Sequence, residues 1–385
     1  MIYVKKDFKE ALIPIFAVFC ALYTLINPLQ CSFYIQKALK ICALSLIPAL
    51  FPFIFLTRLY SISKAESRSG GILQSLVSRV TGLNQNLCSI FILGLFCGFP
   101  SGAVGVCSVY ERGLCTKDDA ERATALSDNC SAAFLISALG MKLTGGIKTG
   151  YMLLLCQTLS VISTAVIMKY VFPHKNICHT EKPALNTSSL NGTDKKQSLS
   201  GMLTECISYT AKAVINICFC VTFFFLISGV ISDRIAGILQ RCGLGEQSIA
   251  AVTAIFCGMF EMTSGSFRAA ELPFPQNAVM CAFLTSLAGL SVLMQVLSVC
   301  KKHSFGAKYF IYAHLCSAFL SALYMILLLF LLSPSGVLTA FSQSVGFVLY
   351  KENAFYGGLI PECICAVFLA LGTAVGIRKH KSTKK

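Results

Sequence analysis

Two short stretches place helix breakers beside hydroxyl or acidic side chains inside otherwise apolar sequence. The first is Gly94-Leu95-Phe96-Cys97-Gly98-Phe99-Pro100-Ser101-Gly102-Ala103. Pro100 removes a backbone donor and disfavours helix at Phe99, while the glycines permit tight or left-handed turns. A helix restarting after Pro100 would offer its free amides and positive dipole end to an anion or polar ligand. Gly98, Pro100, Ser101 and Gly102 are therefore candidate substrate-binding positions. The competing reading is a kinked helix whose small residues allow close packing.

The second is Gly258-Met259-Phe260-Glu261-Met262-Thr263-Ser264-Gly265-Ser266. Glu261 is the one acidic residue deep within an apolar stretch, and the cost of a carboxylate there marks it as functional. It would hold a coupling cation such as Na+ or carry a proton, with Thr263, Ser264 and Gly265 contacting substrate. The alternative ends a segment at the interface, with Glu261 snorkelling or paired with Arg268.

Further candidates are Asn129, in Ser127-Asp128-Asn129-Cys130-Ser131, and the pair Ser291 and Gln295. Asp128 or Ser127 could instead cap a helix. Ser291 and Gln295 share a helix face, which serves equally as interhelical glue or as a site. Thr116-Lys117-Asp118-Asp119 has the form of a capping box opening a short, solvated helix through Glu121 and Arg122, without chemistry.

Ser101 between glycines raises intramembrane hydrolysis, but only His314 lies in a spanning run and no orienting carboxylate accompanies it. No catalytic residue is expected, and the chain is not read as an enzyme. No Walker A or dinucleotide glycine motif is present in the sequence, so primary ATP-driven pumping by this chain alone is not expected, and neither is a cofactor. The twenty cysteines fall mostly within apolar runs and read as small hydrophobes. Cys363-Ile364-Cys365 is too close for a metal knuckle, and no metal site is expected.

The elements that must position these residues are membrane helices. Of 385 residues 55% are hydrophobic and 13% charged, and the charges gather between long apolar runs. The spacing predicts spanning helices near 11–29, 38–57, 149–171, 211–232, 276–299, 309–333 and 354–377. The first is read as a retained helix and not a signal peptide, because it is long enough to span and no small-residue cleavage site follows. Between these runs, 88–109, 129–147 and 249–268 are apolar but interrupted, and read as re-entrant or broken helices. The net charge of +15 sits in clusters at run ends and not in a basic stripe, so lipid, not nucleic acid, is the expected partner. Lys5, Lys6 and Lys9 precede the first run; Arg378, Lys379, Lys381, Lys384 and Lys385 follow the last. Both termini are thus expected in the cytoplasm, with an even number of crossings.

A polar stretch, 174–200, divides the chain into a first membrane half, 1–173, and a second, 201–385. Its two N-x-[ST] sequons read as chance matches. The halves echo each other weakly. Phe96-Cys97-Gly98 recurs as Phe256-Cys257-Gly258, and the pair Ser101-Gly102 as Ser264-Gly265. Ile72-Leu73-Gln74 recurs as Ile238-Leu239-Gln240, and Ser137-Ala138-Leu139-Gly140 resembles Ser286-Leu287-Ala288-Gly289. Interrupted segments at corresponding places in two halves point to a transporter site. The fold expected is an all-α polytopic membrane protein of two repeated halves with re-entrant or broken helices.

Several of these segments resemble one family. Ile47-Pro48-Ala49-Leu50-Phe51-Pro52-Phe53, Gly98-Phe99-Pro100-Ser101-Gly102-Ala103, Tyr110-Glu111-Arg112-Gly113, Asp128-Asn129 with Phe134, Gly258 to Gly265, and Gly289-Leu290-Ser291-Val292 with Gln295 are similar to the YlbJ (SpoVV) family of sporulation integral membrane proteins. The likeness covers roughly residues 35 to 300. It departs at Phe99, where the family has Tyr, and at Ser131-Ala132, where it has Gly-Pro. That family carries the nucleoside-recognition, or Gate, domain and is similar in organisation to concentrative nucleoside transporters. The resemblance implies inverted repeats, re-entrant hairpins and transport of dipicolinic acid from mother cell towards forespore, across the membrane that surrounds the forespore. A nucleoside-type carrier and a non-transporting assembly protein of that membrane are the alternatives. Coupling by H+ or Na+ and homo-oligomer formation are left open. A dianionic substrate suits half-helix N-termini, but then Glu261 must be protonated, cation-paired or set apart from it.

Overall fold

The computed structural model describes residues 3–62, 71–173 and 199–332. The polar stretch 174–198, the run 354–377 and the C-terminal basic cluster lie outside the described residues. Among the described residues every regular element is helical.

In chain order these are α1 (Tyr3–Ile26), α2 (Pro28–Ile41), α3 (Ile47–Ile62), α4 (Ile72–Thr81), α5 (Gln85–Cys97), α6 (Ser101–Glu111), α7 (Lys117–Ser127), α8 (Ile147–Val171), α9 (Leu199–Arg241), α10 (Glu246–Phe260), α11 (Met262–Ala269), α12 (Gln276–Leu287), α13 (Gly289–Val299) and α14 (Lys308–Leu332). A π-helical turn, Cys42–Leu46, joins α2 to α3 into one apolar element, Pro28–Leu59. Another, Phe134–Leu139, stands between α7 and α8. Five described helices are long and apolar enough to cross a membrane, or six if the α4–α5 pair, bent by 86°, counts as one span. This is the architecture of a multi-pass α-helical membrane protein.

Local chemistry fixes several boundaries. Thr116 and Asp119 form the expected reciprocal cap on α7: Thr116 Oγ1 accepts from the Asp119 amide at 3.2 Å, and Asp119 Oδ2 accepts from the Thr116 amide at 3.2 Å. The helix is less solvated than its charges suggest. Ala120, Ala123, Thr124, Ala125, Leu126 and Ser127 are all buried, so only one face carries Lys117 and Asp118 outward.

The predicted run 276–299 is one of these candidate spans but carries an internal break: α12 ends at Leu287, and Ala288 and Gly289 take φ of 67° and 82° before α13 begins. Both angles lie in the left-handed region, which a glycine enters freely and an alanine does not.

The breaks pack against one another through glycine. A Cβ added at Gly94 would lie 1.8 Å from the Ser127 carbonyl oxygen, and one at Gly102 would lie 2.4 Å from it. The end of α7 therefore sits between the two arms of the α5–α6 hairpin, backbone against backbone. The α10–α11 hairpin closes in the same manner, with a Cβ at Gly265 falling 2.3 Å from Gly258 Cα. Around these hairpins α9 packs on α2, α3 and α10, while α14 packs on α7, α8 and α12.

Substitution tests this glycine packing directly. Gly94→Ala and Gly265→Ala should each destabilise the detergent-solubilised protein by about 3 kcal/mol, because rigid backbone must move. Gly237→Ala, inside α9 with open space around it, should instead stabilise by up to about 1 kcal/mol. Thermal unfolding of the three variants checks the contrast.

Candidate functional site

Four breaks among the described residues meet in one place: Gly98-Phe99-Pro100, Asp128 to Ser131, Glu261, and Ala288-Gly289. Segment 129–147 is thus interrupted as expected. The Phe99–Pro100 peptide is cis, and Gly98 has φ 88°. A Cβ on Gly98 would lie 2.7 Å from Ser131 Cβ, which brings the α5–α6 tip onto the α7 break. Gly289 is pressed likewise onto the α10–α11 tip, where a Cβ would lie 2.6 Å from the Gly258 carbonyl oxygen.

Between the two tips lies a cavity of about 30 Å³. Phe99, Cys130, Ser131 and Phe134 line it from the first half, Glu261, Met262, Thr263, Val292 and Gln295 from the second, and Leu46, Leu50, Ile217 and Val221 close its apolar side. That volume has room for water but not for an organic solute, which needs about 300 Å³ or more. A larger groove, about 610 Å³, runs along the first turns of α9 from Ser200 to Lys212, lined among the described residues by that helix alone.

Each predicted site residue has a definite place. Glu261, Thr263 and Gln295 line the cavity. Ser291 is fully buried one turn from Gln295, and its Oγ accepts from Gln295 Nε2 at 3.1 Å, so the pair is a single polar unit. The remaining positions frame the cavity from behind. Ser101 turns its hydroxyl back to donate to the Gly98 carbonyl, which also accepts the Ser101 amide at 3.0 Å. Asn129 Nδ2 donates to the Leu126 carbonyl at 2.9 Å and the Gly94 carbonyl at 3.3 Å, satisfying acceptors at two helix ends. Pro100, Gly102 and Gly265 shape the tips. Ser264 contributes its amide, not its hydroxyl, to the site.

Glu261 is 1% exposed and caps α11. Its Oε1 accepts from the Thr263 amide at 3.0 Å and its Oε2 from the Ser264 amide at 2.5 Å. Arg268 neighbours Tyr34 of α2 instead, so the expected alternative of a Glu261–Arg268 pair is not formed. At the other hairpin Asp128, fully buried, faces the Gly102 and Ala103 amides in the first turn of α6, although neither carboxylate oxygen reaches hydrogen-bonding geometry. Both restarting helices therefore direct their positive ends at a carboxylate of the protein itself. Helix ends that the sequence offers to an anion are occupied from within.

Sequence reasoning passed over Ser131, Phe99 and Cys130 as lining residues. Ser131 gives the only advance signal, since its Oγ accepts from the Phe134 amide at 3.2 Å, the N-cap geometry its residue type favours. Among the described residues no group of three or more His, Cys, Asp or Glu side chains could hold a metal ion. Searches of protein-family models, curated proteins and solved structures find no match to the chain.

The Glu261 cap predicts a graded response. Glu261→Ala leaves two buried amides without an acceptor and should cost about 2 kcal/mol of stability. Glu261→Gln keeps one acceptor oxygen and should cost about half as much, as read from thermal unfolding in detergent.

Proposed function

We propose that this chain is a membrane carrier for a small organic solute, and that the solute binds where the four helix breaks converge. The observation that carries the reading is the convergence itself. Interrupted segments from both sides of residues 174–198 meet at one buried cavity that offers a carboxylate, an amide and hydroxyls in apolar surroundings. Irregular backbone at membrane depth is tolerated where it lines such a site, and carriers place their sites at discontinuous helices.

The order of elements supports two repeated halves. A hairpin broken at its tip (α5–α6) precedes a second break (after α7), and the same succession returns as α10–α11 followed by α12–α13. By the family resemblance the halves are inverted and the membrane is that of the mother cell around the forespore, while the basic clusters at the two ends favour cytoplasmic termini. The resemblance also supplies the first candidate solute, dipicolinate. At about 30 Å³ the cavity must widen to admit it, so one hairpin has to move against the other elements.

One observation favours a neutral solute of nucleoside type as a second reading. Asp128 and Glu261 already occupy the helix ends that would otherwise attract a dianion, leaving Gln295, Ser131 and Thr263 as uncharged hydrogen-bonding groups. A dianion would bind there only with those carboxylates protonated or cation-paired.

Uptake into vesicles separates the readings. Full-length protein should accumulate labelled dipicolinate above empty vesicles, and Glu261→Gln and Gln295→Ala should each reduce uptake about tenfold, the loss of roughly one buried polar contact. Entry of labelled uridine without dipicolinate would select the neutral solute. If wild type matches empty vesicles for both, the carrier reading fails.

A further inference from the structure

Behind the cavity wall, α8 and α14 meet along a buried polar face. On α8, Gln157, Ser160 and Thr164 follow one another at helical spacing; on α14, His314, Ser317 and Ser321 do the same, and all six are at most 5% exposed. Two bonds prove that these faces oppose each other: Ser160 Oγ lies 2.8 Å from Ser317 Oγ, and Ser163 Oγ lies 2.7 Å from Tyr324 Oη. The seam reaches the site at two points. Gln157 Nε2 donates to the Cys130 carbonyl in the α7 break at 2.9 Å, and the His314 ring lies 6.0 Å from the ring of Phe99 at the α5–α6 tip.

Five polar atoms along this seam have no protein partner: Gln157 Oε1, Thr164 Oγ1, Ser321 Oγ, His314 Nε2 and Ser286 Oγ, the last on α12 beside the imidazole. Buried groups of this kind are costly unless satisfied, and several together in a polar seam are what buried water satisfies. Serine pairing for close helix packing accounts for the Ser160–Ser317 bond but not for these five atoms.

His314 gives the seam a chemistry. Its Nδ1 lies 2.9 Å from the Ser286 carbonyl oxygen, which can only accept, so Nδ1 carries the proton of the neutral ring. Nε2 is then a bare lone pair with nothing bonded to it. The ring's other neighbours are Phe310 at 4.1 Å and Phe99, both uncharged. Of the elements packed on α14, α12 carries no charged residue. On α7 the charged groups near α14 are Asp118, bonded to Tyr309 at 2.6 Å, Arg122, whose guanidinium lies 5.2 Å from that ring, and Glu121, which accepts from the Gly306 amide at 2.9 Å; on α8 they are Lys148 and Lys169, towards its ends, while Asp128 follows α7. The imidazole nitrogens bond to none of them.

We propose that the α8–α14 seam holds water, and that His314 Nε2 takes a proton from that water and returns it during each transport cycle. The step breaks one O–H bond of a hydronium ion and forms one N–H bond, giving imidazolium and water; release reverses it. The proton role rests on the carrier reading above, whereas hydration of the seam does not.

Two measurements on the full-length chain in lipid vesicles decide it. In solid-state NMR with 15N-histidine, the His314 signals, identified by their loss in His314→Gln or by substituting the other four histidines, should show an unprotonated Nε2 with magnetisation transfer from water. A His314 ring without transfer overturns the hydrated seam. In vesicles holding a pH dye, entry of whichever probe is carried, dipicolinate or uridine, should move protons with it. His314→Gln should abolish that proton movement while solute-for-solute exchange persists. Equal proton movement in the variant, or wild-type solute entry with no pH change, overturns the proton role and leaves the carrier reading intact. If wild type carries neither probe, the carrier reading fails and the proton role with it, while the NMR result still judges the seam.

Discussion

Backbone amides and carbonyls released by a broken helix must be satisfied by the protein when no water is at hand, and this requirement organises the centre of the molecule. Three of the four breaks are closed by specific side chains. The Gly98 carbonyl accepts both the amide and the hydroxyl of Ser101; Asn129 serves the carbonyls of Gly94 and Leu126; Gln157 serves Cys130; Glu261 holds the amides of Thr263 and Ser264. Polar residues near the breaks are thus largely committed to backbone. The few left facing the cavity, chiefly Thr263, Ser131 and the Ser291–Gln295 unit, have to define its chemistry.

The same requirement explains the glycines. A break can be sealed only if neighbouring backbone comes close, and Gly94, Gly102 and Gly265 lie where a Cβ would collide with backbone of the opposing segment. Dense backbone contact of this kind resists continuous deformation. Each hairpin is thus sealed to its partner break, whereas Leu50, Ile217 and Val221 meet the cavity with apolar side chains alone.

Charge placement follows the same geometry. Asp128 and Glu261 are carried deep in the protein, and each faces the first turn of a restarting helix, where the peptide dipoles favour negative charge. Asp128 and Glu261 come from different kinds of break, one after a capped helix and one at a hairpin tip; Glu261 accepts two amides of α11, whereas Asp128 faces those of α6 without bonding them.

Much of this was legible in the sequence wherever the cause is local. Long apolar runs dictate membrane helices because the bilayer sets their length, and Pro100 ends a helix because it lacks an amide hydrogen. Thr116 and Asp119 announce their cap by spacing alone. Glu261 stood out because an acidic residue in an apolar stretch is expensive. What only tertiary structure decided is which way each polar group faces. Ser101 and Asn129 have the right residue types for a site, but the nearest unsatisfied carbonyls claim them. Ala288 carries no local signal for a left-handed φ; the α10–α11 tip pressed against Gly289 imposes that break from outside. Asp128 finds α6, and His314 finds Ser286 and Phe99, across distances in sequence that no periodicity encodes, because those meetings are set by how whole helices pack and not by the residues beside them.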